Sequence, residues 1–287
     1  MKTVVITGAT SGIGLETARK LVEKGFFVIG VGHSRANCDK AQELIMADKP
    51  SGKMVYFVAD LMQLGEVMRV ADEVRKYVVS SCNGEIYALI NNVGGVRSWY
   101  QTTQEGYEQQ FALNHLAGFL LTYRLFPYIE KALGRVIMTS SNSHKGLKMH
   151  WDDLMLKEGY NPLTAYKQSK LCNVLFAQAL NDRYSRNGIH AYAVDPGLVN
   201  TNIGNKQTGG LVNLIWSVRK KHGVKPEIPA ETYVYLCEQA SAPKGLYYYL
   251  CCERKFSKEV TRENANRLFE LSERLCGIKY SDLVVEL

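Results

Sequence analysis

Short apolar runs rich in β-branched residues recur along the chain at 3–7, 27–31, 54–58, 86–90, 135–139 and 190–194. Stretches with helical periodicity lie between them, at 13–23, 36–47, 64–79 and 165–184. This alternation limits the fold more than any other feature. It calls for βαβ units, whose strands lie parallel and are buried on both faces, which is why the runs are apolar throughout rather than at every second residue. Gly25, Gly84, Gly134 and Gly188 each stand just before a strand, where a helix must end and the chain turn back. A last strand over 245–250 and a helix over 258–275 complete the pattern. The expected architecture is a single doubly wound α/β domain with a parallel β-sheet (a Rossmann fold) over residues 1–287. A chain of 287 residues with 46% hydrophobic content can bury one large core of this kind.

From Pro196 to about residue 230 the alternation gives way to Gly, Asn, Thr and Lys around one apolar patch, 211–218. Residues 196–230 are expected to be an insertion that covers a substrate, with the patch as a lid packed on its pocket.

The first strand leads into Thr7-Gly8-Ala9-Thr10-Ser11-Gly12-Ile13-Gly14 and then into a helix. Backbone N–H groups and the helix dipole at such a turn suit the pyrophosphate of a dinucleotide, and a Cβ at the glycines would keep the phosphates away. Gly8, Thr10, Ser11, Gly12, Ile13 and Gly14 are therefore expected to bind the cofactor. About 20 residues on, an acid would grip a ribose 2′-hydroxyl. The chain instead carries Gly32-His33-Ser34-Arg35, with no carboxylate. His33, Ser34 and Arg35 can donate to a 2′-phosphate, so NADP(H) is expected rather than NAD(H).

Asn161-Pro162 reads as a helix start, with Tyr166 and Lys170 four residues apart on one face. An ammonium beside a phenol favours the phenolate and makes it usable as acid and base. The run 135–139 ends in Ser140-Ser141, at the carboxyl end of a strand where ligands bind in such sheets.

Taken in order, Thr7-Gly8-x-x-x-Gly12-x-Gly14, Asn91-Asn92-Val93-Gly94, Asn114, Ser141, Tyr166-x-x-x-Lys170 and Pro196-Gly197-x-x-x-Thr201 resemble the short-chain dehydrogenase/reductase family over nearly the whole chain. Residues 114–122, 169–176 and 268–275 are most similar to its retinol dehydrogenase-like branch. The resemblance implies a catalytic set of Asn114, Ser141, Tyr166 and Lys170. Tyr166 would be proton donor and acceptor, and Ser141 would position the carbonyl. Lys170 would bind the nicotinamide ribose and lower the Tyr166 pKa, and Asn114 would hold a water linking Lys170 to solvent. It also implies that Asp60 and Leu61 face the adenine, that Asn92 and Gly94 line the cofactor cleft, and that Pro196, Gly197, Val199 and Thr201 meet the carboxamide end. Val93 departs from the family's usual Ala, and Ser11 stands where some NADP-preferring members carry a basic residue. The implied activity is hydride transfer between NADP(H) and a lipophilic carbonyl or alcohol. The alternative is a non-catalytic NADPH-binding regulatory protein on the same fold, which would have no need of the full proton-handling set.

The net charge of +7 is spread over 35 basic and 28 acidic residues, and no basic run is longer than Arg219-Lys220-Lys221, which speaks against nucleic acid as a partner. Seven cysteines without metal-ligand spacing are expected as free thiols, and no metal site is expected at His115, His144 or His150. Met1 leads directly into the first strand, so a cytoplasmic protein without membrane association is expected. Apolar faces over 115–132 and 165–184 either form a homodimer interface, the expected assembly, or pack as core against the sheet.

Overall fold

The computed structural model describes residues 1–199 and 223–283. Its elements in chain order are β1 (Thr3–Thr7), α1 (Gly12–Glu23), β2 (Phe27–Gly32), α2 (Arg35–Met46), β3 (Lys53–Val58), α3 (Leu64–Ser81) and β4 (Ala88–Asn91). A short α4 (Gln109–Phe111), a π-helical turn at Ala112–Leu116 and α5 (Ala117–Lys131) follow as one continuous helix. Then come β5 (Arg135–Thr139), α6 (Pro162–Tyr184), β6 (His190–Val194), α7 (Glu227–Glu238), β7 (Tyr247–Tyr249), β8 (Cys252–Glu253) and α8 (Arg262–Cys276).

The strands form one sheet in the order β3-β2-β1-β4-β5-β6-β7-β8. All pairs are parallel except the terminal β7–β8 hairpin. Successive residues of a strand point to opposite faces, and both faces are apolar. Val5, Leu89 and Val136 pack with residues of α3, α5, α6 and α8, while Val4, Ile90 and Ile137 pack with residues of α1, α2 and α7. The chain order reverses between β1 and β4, so the carboxyl ends of those two strands open the crevice in which ligands of such sheets bind.

Several boundaries differ from the sequence expectation. The run 86–90 pairs only from Ala88, because Ile86 gives its N–H to the Tyr128 carbonyl of the helix before β5. The run 245–250 is a strand only at Tyr247–Tyr249, and the two-residue β8 carries no pattern of its own. The expected insertion over 196–230 ends within α7, whose Pro229 falls in the first turn, where a missing N–H costs nothing. Residues 200–222 of that insertion, Thr201 and the patch 211–218 included, lie outside the described residues. The apolar faces of α5 and α6, one reading of which was a dimer contact, are core within this chain, packed on α3 and α8. Among the described residues no helix is long and apolar enough to cross a membrane.

Candidate active site

The turn after β1 is held from three sides. Gly8 N–H donates to the Val31 carbonyl at 2.8 Å, and the buried Tyr56 hydroxyl donates to the Ala9 carbonyl at 2.7 Å. Thr7 Oγ1 accepts the N–H groups of Asn92 (3.0 Å) and Val93 (3.1 Å), and Asn92 Nδ2 returns a bond to the Thr7 carbonyl at 3.0 Å. Asn92 therefore ties the end of β4 to the turn. Gly8 (φ +69°) and Gly12 (φ +54°) need the left-handed region. At Gly14 a Cβ would lie 2.2 Å from the Gly8 carbonyl oxygen, so the helix can start this close to the strand only with glycine there. Ser11 is the N-cap of α1 but makes no side-chain cap bond, which leaves the first N–H groups of the helix pointing out beside Thr10, Gly12 and Ile13. This is a cradle shaped for a phosphate group.

Past β2, His33 and Arg35 are mostly exposed, and Ser34 caps α2 without a side-chain bond. His33 Nδ1 lies 3.7 Å from Asp60 just past β3, and Arg35 pairs with Asp39, at 3.8 Å, one turn along its own helix. Asp60 also caps the following turn by accepting the Met62 N–H at 3.1 Å, with Leu61 buried between them.

At the far end of the crevice β5, α6 and the π turn converge. Asn161 Oδ1 accepts the N–H groups of Leu163 (3.0 Å) and Thr164 (3.1 Å) and starts α6, with Pro162 in its first turn. Tyr166 and Lys170 follow on one face, with Lys170 Nζ 5.6 Å from the Tyr166 ring centroid. Lys170 is fully buried and donates to the Thr139 carbonyl at 3.1 Å. Burial lowers its pKa to about 8, since the interior disfavours the ammonium. Asn114 lies in the π turn, a wide-turn geometry that is rare and clusters at functional sites. Its Oδ1 accepts the Gly95 N–H at 2.7 Å, and its Nδ2 donates to the Gly95 carbonyl (3.0 Å) and to Ser169 Oγ (2.9 Å). A Cβ on Gly94 would lie 3.0 Å from Lys170 Nζ and 3.2 Å from Asn114 Oδ1, so glycine keeps this wall of the cleft open.

Ser141 stands just past β5, and its Oγ accepts from the Ser143 N–H at 3.3 Å and the Ser143 hydroxyl at 3.1 Å. The buried His144 holds its backbone. His144 Nε2 accepts the Ser257 N–H at 3.1 Å, so the ring proton sits on Nδ1 and is donated to the Ser141 carbonyl at 2.6 Å. Burial lowers the His144 pKa, in the direction that favours the neutral ring this hydrogen-bond pattern needs. Past β6, Gly197 (φ +71°) donates its N–H to Asp195 at 2.8 Å, and Val199 forms a bridge with Val224.

The sequence reading named Ser141, Tyr166, Lys170 and Asn114, and all four lie at this end of the sheet. It gave no positioning role to Thr139, His144, Ser169 or Asn173, which hold these residues, nor to Thr7, which ties Asn92 to the glycine turn. Thr7, Ser169 and Asn173 lie in stretches that carried the family resemblance, whereas Thr139 and His144 had no such signal.

A phosphate cradle at one end of the crevice and a buried lysine facing a tyrosine at the other are the equipment of an oxidoreductase that works with a dinucleotide. The sequence pattern described as short chain dehydrogenase matches residues 2–210. The chain is 32% identical to mouse retinol dehydrogenase 12 over 283 residues, which is 97% of this chain and 87% of that protein. It is 31% identical to the WW domain-containing oxidoreductase of Drosophila melanogaster, over 96% of this chain and 68% of that protein. Among solved structures, an uncharacterized protein from Mycobacterium paratuberculosis superposes with a TM-score of 0.72 at 27% identity, covering 98% of this chain and 95% of that one. A short-chain dehydrogenase from Sphingobium yanoikuyae in complex with NADPH shares the fold, with a TM-score of 0.66 at 21% identity, over 100% of this chain and 98% of that one. The chain belongs to the short-chain dehydrogenase/reductase family, in its retinol dehydrogenase-like branch. It is an oxidoreductase acting on an alcohol or carbonyl.

Proposed function

We propose that this enzyme exchanges a hydride between NADP(H) and the carbonyl or alcohol of a lipophilic substrate, with Tyr166 as the group that gives and takes the proton. The observation that carries the reading is Lys170, a buried ammonium fixed on the Thr139 carbonyl and facing the Tyr166 ring, just before the strand end that presents Ser141. A positive charge there stabilises the Tyr166 phenolate, and low polarity around it strengthens the effect. Ser141 Oγ, which accepts from Ser143, keeps its own proton to donate to the substrate oxygen.

The bound dinucleotide supplies or accepts the hydride at its nicotinamide ring. The turn at Gly8, Thr10, Ser11, Gly12, Ile13 and Gly14 would hold its pyrophosphate, Asn92 and Gly94 would line its path, and Asp60 and Leu61 would flank its adenine. Pro196, Gly197 and Val199 would meet its carboxamide end. His33, Ser34 and Arg35 would take a 2′-phosphate: among the described residues Arg35 pairs with Asp39 in an exposed contact, worth little in water, which a stronger anion can displace. Tyr166 lends its proton to the carbonyl in reduction and recovers it in oxidation, and orientation supplies most of the rate. The seven cysteines are free thiols, in keeping with a reducing compartment such as the cytoplasm.

The test is turnover of NADPH, and separately NADH, with a panel of lipophilic aldehydes and ketones that includes retinal and steroid ketones. Tyr166→Phe should lose at least about a hundredfold in kcat, the scale of lost acid–base catalysis. Arg35→Ala should bind NADPH about tenfold less tightly, the scale of one charge-assisted bond, with NADH unaffected. Equal affinities of wild type and Arg35→Ala for NADPH would remove the role given to Arg35. Tight NADPH binding without turnover across the panel would favour the regulatory reading.

A further inference from the structure

We propose that Asn173 is a positioning residue for this reaction, one that sets Lys170 and Asn114 in register with each other. The inference rests on the catalytic reading of Tyr166 and Lys170 above.

Asn173 lies on α6 three residues past Lys170 and is 1% exposed. Its single amide nitrogen serves two carbonyls from two other elements. Nδ2 donates to the Thr139 carbonyl at the end of β5 at 2.9 Å and to the Asn114 carbonyl in the π turn, also at 2.9 Å. Thr139 is the same carbonyl that accepts Lys170 Nζ at 3.1 Å. A carbonyl oxygen has two lone pairs. Asn173 occupies one and thereby confines the ammonium to the other. With Asn173 absent, water or the ammonium itself can take either position, and Lys170 swings relative to the Tyr166 ring.

The second bond does the same for Asn114. The Asn114 side chain holds Gly95 through both its amide groups, so its backbone position sets the width of the cleft beside Gly94. Asn173 pins that backbone to α6, the helix that also carries Tyr166 and Lys170.

Asn173 is itself aimed by a third contact. Its Oδ1 faces His115 Nδ1 at 3.4 Å, and His115 Nε2 meets Ser272 Oγ on α8 at 2.9 Å. His115 is fully buried, and its pKa is lowered to about 4, so the ring is neutral across the working range of pH. With Oδ1 toward the ring, both amide hydrogens face the two carbonyls. The amide fits this place for a chemical reason: it presents two hydrogens on one atom and an acceptor opposite, whereas a carboxylate of the same shape can only accept.

The experiment follows kcat, KM and the pH profile of carbonyl reduction in wild type, Asn173→Ala, Asn173→Ser and Tyr166→Phe. NADPH binding by fluorescence and thermal melting are measured in parallel. For Asn173→Ala we expect kcat to fall tenfold or more, with KM and NADPH affinity within threefold of wild type. The alkaline limb of kcat should move to higher pH by half a unit or more, because a less confined ammonium lowers the Tyr166 pKa less. A residue that only fills the core would lower melting temperature without moving the limb. A folded Asn173→Ala with kcat within twofold of wild type, or with lower kcat and an unmoved limb, overturns the proposal. Should Asn173→Ala not fold, Asn173→Ser, which keeps one donor, is judged by the same two criteria. Turnover lost in Tyr166→Phe but kept in the Asn173 variants overturns this inference alone. Turnover kept in Tyr166→Phe overturns the catalytic reading and this inference with it.

Discussion

Lys170 costs the fold what it gives the chemistry. A lysine with an ordinary pKa of 10.5 is held near 8 by burial, which at about 1.4 kcal/mol per pH unit makes the charged native state less stable by about 3 kcal/mol. Below about pH 8 both folded and unfolded chains carry the proton, and the native state bears the whole cost. Between about 8 and 10.5 the unfolded chain still binds a proton that the native chain has released, so stability rises with pH and the cost fades. Lys170→Met, of similar length and apolar, should therefore raise stability by about 1 to 3 kcal/mol at pH 7 while abolishing turnover. That gain, read by urea unfolding without added dinucleotide, should shrink steadily from pH 8 to pH 10. A variant no more stable than wild type at pH 7 would mean that Lys170 is better solvated than its burial implies. Tyr166 and Lys170 were legible in the sequence because helical spacing brings them together and the glycine turn and Ser140-Ser141 stand upstream in order. Their anchors were not. Thr139 acts through its backbone carbonyl, which any residue type would offer, and Asn173 and His144 act across elements at sequence separations of 34 and 113 residues. Nothing local marks such a partner, and the part His144 plays is set by Ser141 and Ser257 at its two nitrogens, far apart in the sequence.

Among the elements, the glycine turn depends on a strand two places away. Tyr56 on β3 crosses over Gly30 on β2 to reach the Ala9 carbonyl, and a Cβ on Gly30 would lie 2.4 Å from the Tyr56 ring. The ring is buried and anchored at its hydroxyl, so it has no easy way to move aside. Gly30→Ala should cost about 1 to 3 kcal/mol, the scale of an overpacked core, and should leave the Ala9 carbonyl without its donor. Because that carbonyl belongs to the phosphate cradle, NADPH affinity should fall about tenfold with it, measured by fluorescence titration. Unchanged affinity in a destabilised Gly30→Ala would show that the cradle keeps its shape without Tyr56. The strands β1, β5 and β6 were readable to the residue because each is a run of apolar residues bounded by turn formers, and a central parallel strand needs little else. The helix α7 was not, because Pro226 and Pro229 at its start look like loop residues until the first turn is seen to need no N–H there. Nor was the π turn, since a one-residue widening leaves the apolar periodicity of the helix almost unchanged.

At the scale of the whole molecule, the catalytic end of the sheet is braced from outside by the last helix. α8 lays Leu268, Phe269 and Ala265 on α5 and α6, where the Phe269 ring lies 5.3 Å from Phe119 and 4.8 Å from Tyr280, with the Arg183 guanidinium 4.1 Å from its centroid. The apolar surface that made these two helices a candidate contact between copies is thus covered by the chain's own C-terminal segment. The same helix supplies Ser272 to His115, within the π turn that carries Asn114. Loosening α8 should therefore have two consequences that a purely peripheral helix would not have. Phe269 is 2% exposed, and Phe269→Ala should lower stability by about 3 to 5 kcal/mol through lost burial and the cavity left behind. As α8 lifts, the uncovered rings of Phe119 and Phe176 should drive self-association, seen in sedimentation velocity as species larger than wild type at equal concentration. Turnover should fall further than the folded fraction, since His115 loses Ser272 in molecules that are otherwise native. If turnover instead tracks the folded fraction and the sedimentation profile stays that of wild type, α8 is a cover for the core and has no part in holding the site.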